Sequence, residues 1–247
     1  MLREWFGEYE RGEDGVLAEA FAALRRYRGL LRRRLEKGGT AATGQGGANF
    51  RKIEVWTEGF FISLDELEQS LYAAAKFAGK VRHSAAMEAM SDDEKLNYYR
   101  YVYFFKNGFI RVFSLLDKIG GYMNEWFGLE TERVKPKFSY YTVCRHMYER
   151  RLHPELERPL FALKTKFDMP MRKLRNQRNI EMHLMNAEMI DDLARSGKSP
   201  GFTPMENVSE NVADLEQGYL MVCMVVRTVF GYACRTFDET ARGMERK

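Results

Sequence analysis

Between Tyr98 and Met123 the residues Tyr98, Val102, Phe105, Phe109, Val112, Leu116, Ile119 and Met123 step by four and three in alternation. That spacing keeps one face of an α-helix apolar, whereas a half-buried strand would alternate by two. Unbroken, the helix would be about 50 Å long. Ser91-Asp92-Asp93-Glu94 precedes it in the form of a capping start, with a side-chain oxygen and acids ahead of the first turn. A stripe this long must be covered by other long elements, and aromatic content at these positions is read as core packing.

Other segments repeat the pattern. Leu17, Phe21, Leu24, Leu31 and Leu35 mark a helix over Val16–Lys37, and Val212 to Ala233 carries the same period inside a last helix from Asn207 to Met244. His153-Pro154 opens a helix toward Met169, where Pro170 interrupts or restarts it. Gly38–Ala48 reads as a flexible glycine-rich loop, and Gly197–Pro204 as another. Lys52–Ile62 has strand character, after which Ser63-Leu64-Asp65-Glu66 reads as a helix start. The expected fold is all-α: an antiparallel up-and-down bundle of long amphipathic helices. Residues 1–62 would form a basic helix plus loop, and residues 63–247 the bundle.

Composition narrows the class. A chain of 247 residues with 45% apolar and 13% aromatic content can bury a sizeable core. Its net charge of +4 is too small to name a partner by itself. Cys144, Cys223 and Cys234 form no CxxC pair and no even set, which favours a reducing compartment and a cytoplasmic location. The N-terminal residues are polar and mixed in charge, and Tyr98–Leu116 carries Arg100, Lys106 and Arg111. A membrane span would not tolerate cations at that spacing, so no membrane association is expected.

The distribution of charge says more than its sum. Ala20–Lys37 holds seven cations against one acid, Arg133–Arg151 six against one, and Lys164–His183 six against two. Phe138, Tyr140, Tyr141 and Tyr148 interleave the second run. Basic residues mixed with aromatics suit single-stranded nucleic acid, whose phosphates are neutralised while its bases stack. A solvated helix face, or tyrosines that simply pack, would give the same pattern. Asn186–Glu216 is acidic, with seven acids against two cations.

Arg172–His183, RKLRNQRNIEMH, packs four cations, two asparagines and a histidine into twelve residues. Within it Arg178, Asn179 and His183 form R-N-x-x-x-H. Arginine offers a bidentate clamp for a phosphate, and histidine moves a proton near neutral pH. Asn179 lies four residues before His183, on one helical face, where it could orient substrate or imidazole. Arg178 and His183, five steps apart, differ by roughly 140° around a regular helix. Arg175 shares the stripe of Asn179 and His183. Arg178 is taken as the phosphate clamp, with Arg175, Arg172 and Lys173 as further substrate contacts. Asp117, counted with these substrate contacts, lies at the edge of the long apolar stripe; buried it would need a partner, for which those arginines are the candidates, but a solvent-facing position is the preferred reading. His83, His146 and His153 are read as structural. No histidine pair is spaced with carboxylates for a metal, so neither metal nor cofactor is expected.

The R-N-x-x-x-H triplet on a late helix of an all-α bundle resembles the signature of the HEPN family (higher eukaryotes and prokaryotes nucleotide-binding). FFKNGFIRVFSLLDKIGGYMNEWF is similar to a less-studied subfamily. The resemblance covers most of Ser63–Met244. It implies a homodimer with two motifs facing each other and, in active members, metal-independent RNA cleavage by Arg178, Asn179 and His183. A toxin or defence effector, with an antitoxin or other protein partner, fits that reading. Many HEPN proteins are inactive scaffolds, so a non-catalytic RNA- or nucleotide-binding module is the alternative. A structural dimer whose cationic helices meet an acidic protein is the third.

Overall fold

The computed structural model describes residues 2–8, 15–37, 45–81, 89–183 and 207–245. Among them are eight α-helices and no strand: α1 Val16–Lys37, α2 Gln45–Ala78, α3 Asp92–Trp126, α4 Tyr140–Arg150, α5 Pro154–Lys166, α6 Asp168–His183, α7 Val208–Arg235 and α8 Phe237–Glu245. The fold is all-α, as the helical periods predict. Residues 184–206, which include the expected Gly197–Pro204 loop, lie outside the described residues, as do residues 38–44.

The expected capping start of α3 is present: the Glu94 backbone N–H donates to Ser91 Oγ at 3.3 Å, and three acids occupy the first turn. The strand character of Lys52–Ile62 is overturned, because that segment lies inside the 34-residue α2. Its hidden period is Phe50, Ile53, Thr57, Phe60, Leu64 and Leu67, all buried and spaced by three and four. Thr57 obscures the pattern, but its hydroxyl is satisfied inside the helix by donating to the Ile53 carbonyl at 2.7 Å. Ser63 is consequently no cap. It is a buried mid-helix residue whose Oγ accepts from Lys118 Nζ at 3.1 Å.

The chain forms two compact units, each discontinuous in sequence. Unit one comprises Met1–Arg11, Glu66–Phe113 and Phe167–Tyr219. In it α2 and α3 run antiparallel, with Arg111 bonded to Glu66, Ser70 Oγ donating to Asn107 Oδ1 at 3.0 Å, and Phe104 stacked on Phe77 at 5.8 Å. Unit two comprises Gly12–Asp65, Ser114–Lys166 and Leu220–Lys247. Its core gathers around Tyr27, fully buried, whose ring meets those of Tyr122, Trp126, Phe230 and Phe237 at 5.2–5.9 Å. These edge-on contacts add to what burial of each ring contributes. α1 runs antiparallel to α2 there, tied by Arg28–Glu58 at 2.7 Å and Arg32–Glu54 at 3.0 Å.

In unit two the last part of α3 receives the first turn of α4. Asp117 Oδ1 accepts the Tyr140 backbone N–H at 3.0 Å, satisfying a donor that a helix start leaves open and placing a carboxylate at the positive end of α4. Ser139 and Thr142 complete that end as a reciprocal capping box. One turn past Asp117, Gly120 lets the α4 backbone approach: a Cβ there would stand 2.8 Å from Tyr140 Cα. On α4, burial pushes the Cys144 thiol up to about 12. Cys144, Cys223 and Cys234 are thiols rather than disulfides.

α7 is, among the described residues, the one helix long and apolar enough to cross a membrane; 56% of its most apolar window is buried within the protein. Its apolar content is therefore largely core. The neighbouring glycines of α3 offer a test of the packing argument. A Cβ at Gly121 meets nothing within 4 Å, so Gly121→Ala should stabilise by up to about 1 kcal/mol through helix propensity. Gly120→Ala should instead destabilise, by about 1–3 kcal/mol, because backbone must move. Urea unfolding of the two variants checks the opposite signs; equal shifts would contradict the close approach.

Candidate functional site

α6 carries the R-N-x-x-x-H residues, and its first half supplies the anchoring. Met171 and Leu174 are buried, and Leu174 seats against the bare backbone of Gly218 on α7. A Cβ at Gly218 would lie 2.7 Å from Leu174 Cδ1 and 3.4 Å from Val112 Cγ2. Around that seat Lys173 bridges Glu210 and Asp214 of α7, and Gln177 Nε2 donates to Asn211 Oδ1 at 2.9 Å. The second half lies along α3. Arg178 Cζ sits 5.3 Å from the Phe113 ring centroid, and Lys106 Nζ pairs with Glu181 at 3.0 Å. The register, 113 beside 178 and 106 beside 181, makes α3 and α6 antiparallel.

The predicted residues are placed unequally. Arg175 and Arg178 are half-buried, and Asn179 is exposed. Arg172 is exposed and bonds Asp168 on its own helix at 2.9 Å. Lys173 is held by two carboxylates of α7, which raise its pKa, the Glu210 hydrogen bond foremost. The backbone of α6 is helical without a break from Asp168 to His183. The side chain of His183 lies outside the described ones. With no irregularity in α6, nothing in the helix itself turns Arg178 toward the His183 stripe. Asp117 belongs to unit two, is exposed, in line with the solvent-facing reading, and bonds the start of α4.

Sequence reading missed Lys106, Phe113, Gln177 and Asn211. Lys106 and Phe113 are seven residues apart on α3, hence on one stripe, and that was the available signal. Which helix the stripe faces could come only from the fold. The two other basic runs lie in unit two. Arg28 and Arg32 of α1 are matched by acids of α2, leaving Arg25, Arg26 and Arg33 exposed. Tyr140 packs inside, while Tyr148 is 63% exposed and stacks on Phe161 at 6.0 Å.

Unit two also holds a cleft of about 520 Å³, lined by residues that include Glu125, Glu132, His153, Tyr232 and Glu239. None of the predicted site residues lines it. His153 Nδ1 lies 2.9 Å from the Tyr232 hydroxyl, and His146 Nε2 lies 3.0 Å from the Leu129 carbonyl oxygen; both histidines make structural bonds. His83 lies outside the described residues. No group of three or more His, Cys, Asp or Glu suited to a metal occurs among the described residues.

Burial lowers the His153 pKa from its ordinary 6.5, against a smaller opposing effect of a backbone hydrogen bond with Phe127. The unfolded chain therefore takes up this proton at a pH where the folded chain resists it. Stability from this group is present above about pH 6.5 and is lost as pH falls below it. The melting temperature should drop between about pH 7 and 5, and less steeply in His153→Asn, since asparagine tolerates the left-handed backbone of φ 46° found there. Parallel pH profiles for the two proteins would contradict this assignment.

Residues 56–234 match the family model described as HEPN_Cthe2314-like HEPN. No curated protein and no solved structure matches the chain. The matched stretch takes in all of α3 and α6, including Arg178, Asn179 and His183, and covers well over half of the sequence. The chain belongs to the HEPN family.

Proposed function

We propose that the protein is a metal-independent endoribonuclease. The observation that carries this reading is the R-N-x-x-x-H triplet, Arg178, Asn179 and His183, on α6 inside the family-matched stretch. In such a reaction the 2′-hydroxyl attacks the adjacent phosphorus, the P–O5′ bond breaks, and a 2′,3′-cyclic phosphate and a 5′-hydroxyl result. A proton must leave the 2′-oxygen and another must reach the departing O5′. His183 fills one of these roles, and Arg178 offsets charge building on the phosphoryl oxygens. Asn179 orients the substrate or the imidazole, and Arg175 makes an auxiliary phosphate contact. Charge neutralisation and one of the two proton transfers are then supplied by side chains of the motif, and the other transfer falls to solvent or to the second copy's histidine.

The unbroken helix bears on how the site is completed. Arg178 lies on Phe113, and five helical steps set its position roughly 140° around α6 from that of His183. A second copy, with its own α6 facing the first, brings an arginine and a histidine together. Light scattering at micromolar concentration should give twice the 28.9 kDa chain mass. A monomer at every concentration would remove the two-copy site. A toxin or defence role, with an antitoxin or other protein partner, rests on the family resemblance, as does a cytoplasmic location.

A second reading, a non-catalytic module and of its two forms the scaffold rather than the RNA-binding one, is favoured by the ion pairs. Lys106, Arg172 and Lys173 each have a carboxylate partner within the chain, which weakens the polyanion surface around α6. Cleavage separates the two. Single-stranded RNA should be cut in excess EDTA and leave a 2′,3′-cyclic phosphate. His183→Ala should lower the rate by about 10²–10⁴-fold with the melting temperature nearly unchanged. Arg178→Lys should also be poor, since an ammonium keeps the charge but loses the planar fork, and Arg175→Lys should cost much less. A larger defect at Arg175 would reverse the assignment of the clamp. Binding without cleavage of any RNA tested would establish the non-catalytic reading.

A further inference from the structure

Arg172–His183 contains a single acid, Glu181, three residues after Arg178. Residues three apart on a helix are neighbours, and opposite charges at that spacing pair. The chain does this elsewhere: Arg133 bonds Glu130, three positions away, at 2.8 Å. Arg178 and Glu181 stay apart. Glu181 bonds Lys106 of α3 at 3.0 Å, while Arg178 Cζ lies 5.3 Å over the Phe113 ring of α3. All four residues belong to unit one. Arg172 and Lys173 each hold a carboxylate, whereas Arg178 bonds no carboxylate among the described residues.

The two helices separate these charges by their spacing. Arg178 and Glu181 are about 4.5 Å apart along the α6 axis, whereas Phe113 and Lys106 are about 10.5 Å apart along α3. The two side chains leave neighbouring positions and end at distant seats, so they splay. Both side chains of the Lys106–Glu181 pair are largely covered, at 23% and 22% exposure, and water screens such a pair less than an open one. A guanidinium lying over a ring uses its face, and the N–H donors in its plane stay open to an acceptor. A half-buried guanidinium with no carboxylate is suited to a phosphate. Glu181, once released, would be the nearest competitor for it.

We infer that Lys106 is a positioning residue, which holds Glu181 away from Arg178 and so keeps that guanidinium open for a phosphate. The inference rests on the reading of Arg178 as the phosphate clamp and adds to it the residue that keeps the clamp available. Lys106 itself touches no phosphate. It acts through Glu181, from a different helix.

The test uses the full chain and reads the charges first without RNA. In nitrogen-15 NMR the Arg178 Nε–H resonance, identified by its loss in Arg178→Met, should shift in Lys106→Met. It should return in Lys106→Met/Glu181→Gln and stay in place in Lys106→Arg, which keeps a cation for Glu181. Binding reads the consequence, with a short single-stranded 2′-O-methyl oligonucleotide, which lacks the attacking hydroxyl, as the probe. By fluorescence anisotropy Lys106→Met should bind it about fivefold more weakly, the scale of an ion pair that must first be broken. Lys106→Met/Glu181→Gln should regain wild-type affinity, and Glu181→Gln alone should leave it unchanged. In an Arg178→Met background, Lys106→Met should cost nothing further. Circular dichroism should be the same for every variant.

An Arg178 resonance that does not move in Lys106→Met would overturn the inference. A loss of affinity that persists without Arg178 would also overturn it, since net charge alone would then account for the loss. A moved resonance with unchanged affinity would overturn the clamp reading while leaving the separation of the two charges by Lys106 in place.

Discussion

The seating of Leu174 on the bare backbone of Gly218 sets the geometry of the candidate site. Burial of one leucine contributes about 2 kcal/mol, and here it also fixes the rotation of α6. With Leu174 turned inward, Lys173 and Gln177 must flank α7, Arg178 falls one turn on beside Phe113, and Glu181 reaches Lys106. Met171 and Leu174 are the buried residues of α6 among those described, both in its first ten positions. The motif half is held instead by an ion pair and a cation–ring contact, each a modest contribution at such exposure. An anchored front and a lightly held rear let the motif residues present themselves to a ligand without threatening the core.

Unit two solves a different packing problem with related means. α4 is only 11 residues long and would be marginal in isolation. It is held by a capping box, by the Asp117 carboxylate at its first N–H, and by close approach over Gly120. Two positions three residues apart on α3 thus act on one residue of α4, Tyr140. The placement gives Asp117, at the edge of an apolar stripe, a structural use as the acceptor at the start of α4.

The all-α class, the start of α3 and most of its stripe were legible because they depend on local spacing and caps. Phe105, Phe109, Val112, Leu116, Ile119 and Met123 are all buried as the period predicts. α2 was misread over Lys52–Ile62 for a physical reason. Its β-branched and aromatic residues, Ile53, Val55, Trp56, Thr57, Phe60 and Phe61, favour strands locally, and burial of a helical face at 53, 57 and 60 overrides that preference. The basic face of α1 looked like a polyanion track because its neutralising acids, Glu54 and Glu58, lie in that misread segment. Of the site, the residue types of the motif were legible, and the orientation of each was not. Orientation depends on which residue of α6 meets Gly218, and that pairing spans more than forty positions of sequence.

Cys144 has a use that its packing creates. Burial holds its thiol well above the ordinary value, so the thiolate that alkylating reagents attack is scarce at neutral pH. Excursions in which α4 lifts away return the group to water and to an ordinary thiol value. Alkylation at this one sulfur then follows the share of molecules in which α4 is open, a gauge of the detachment of a single helix in an otherwise folded chain.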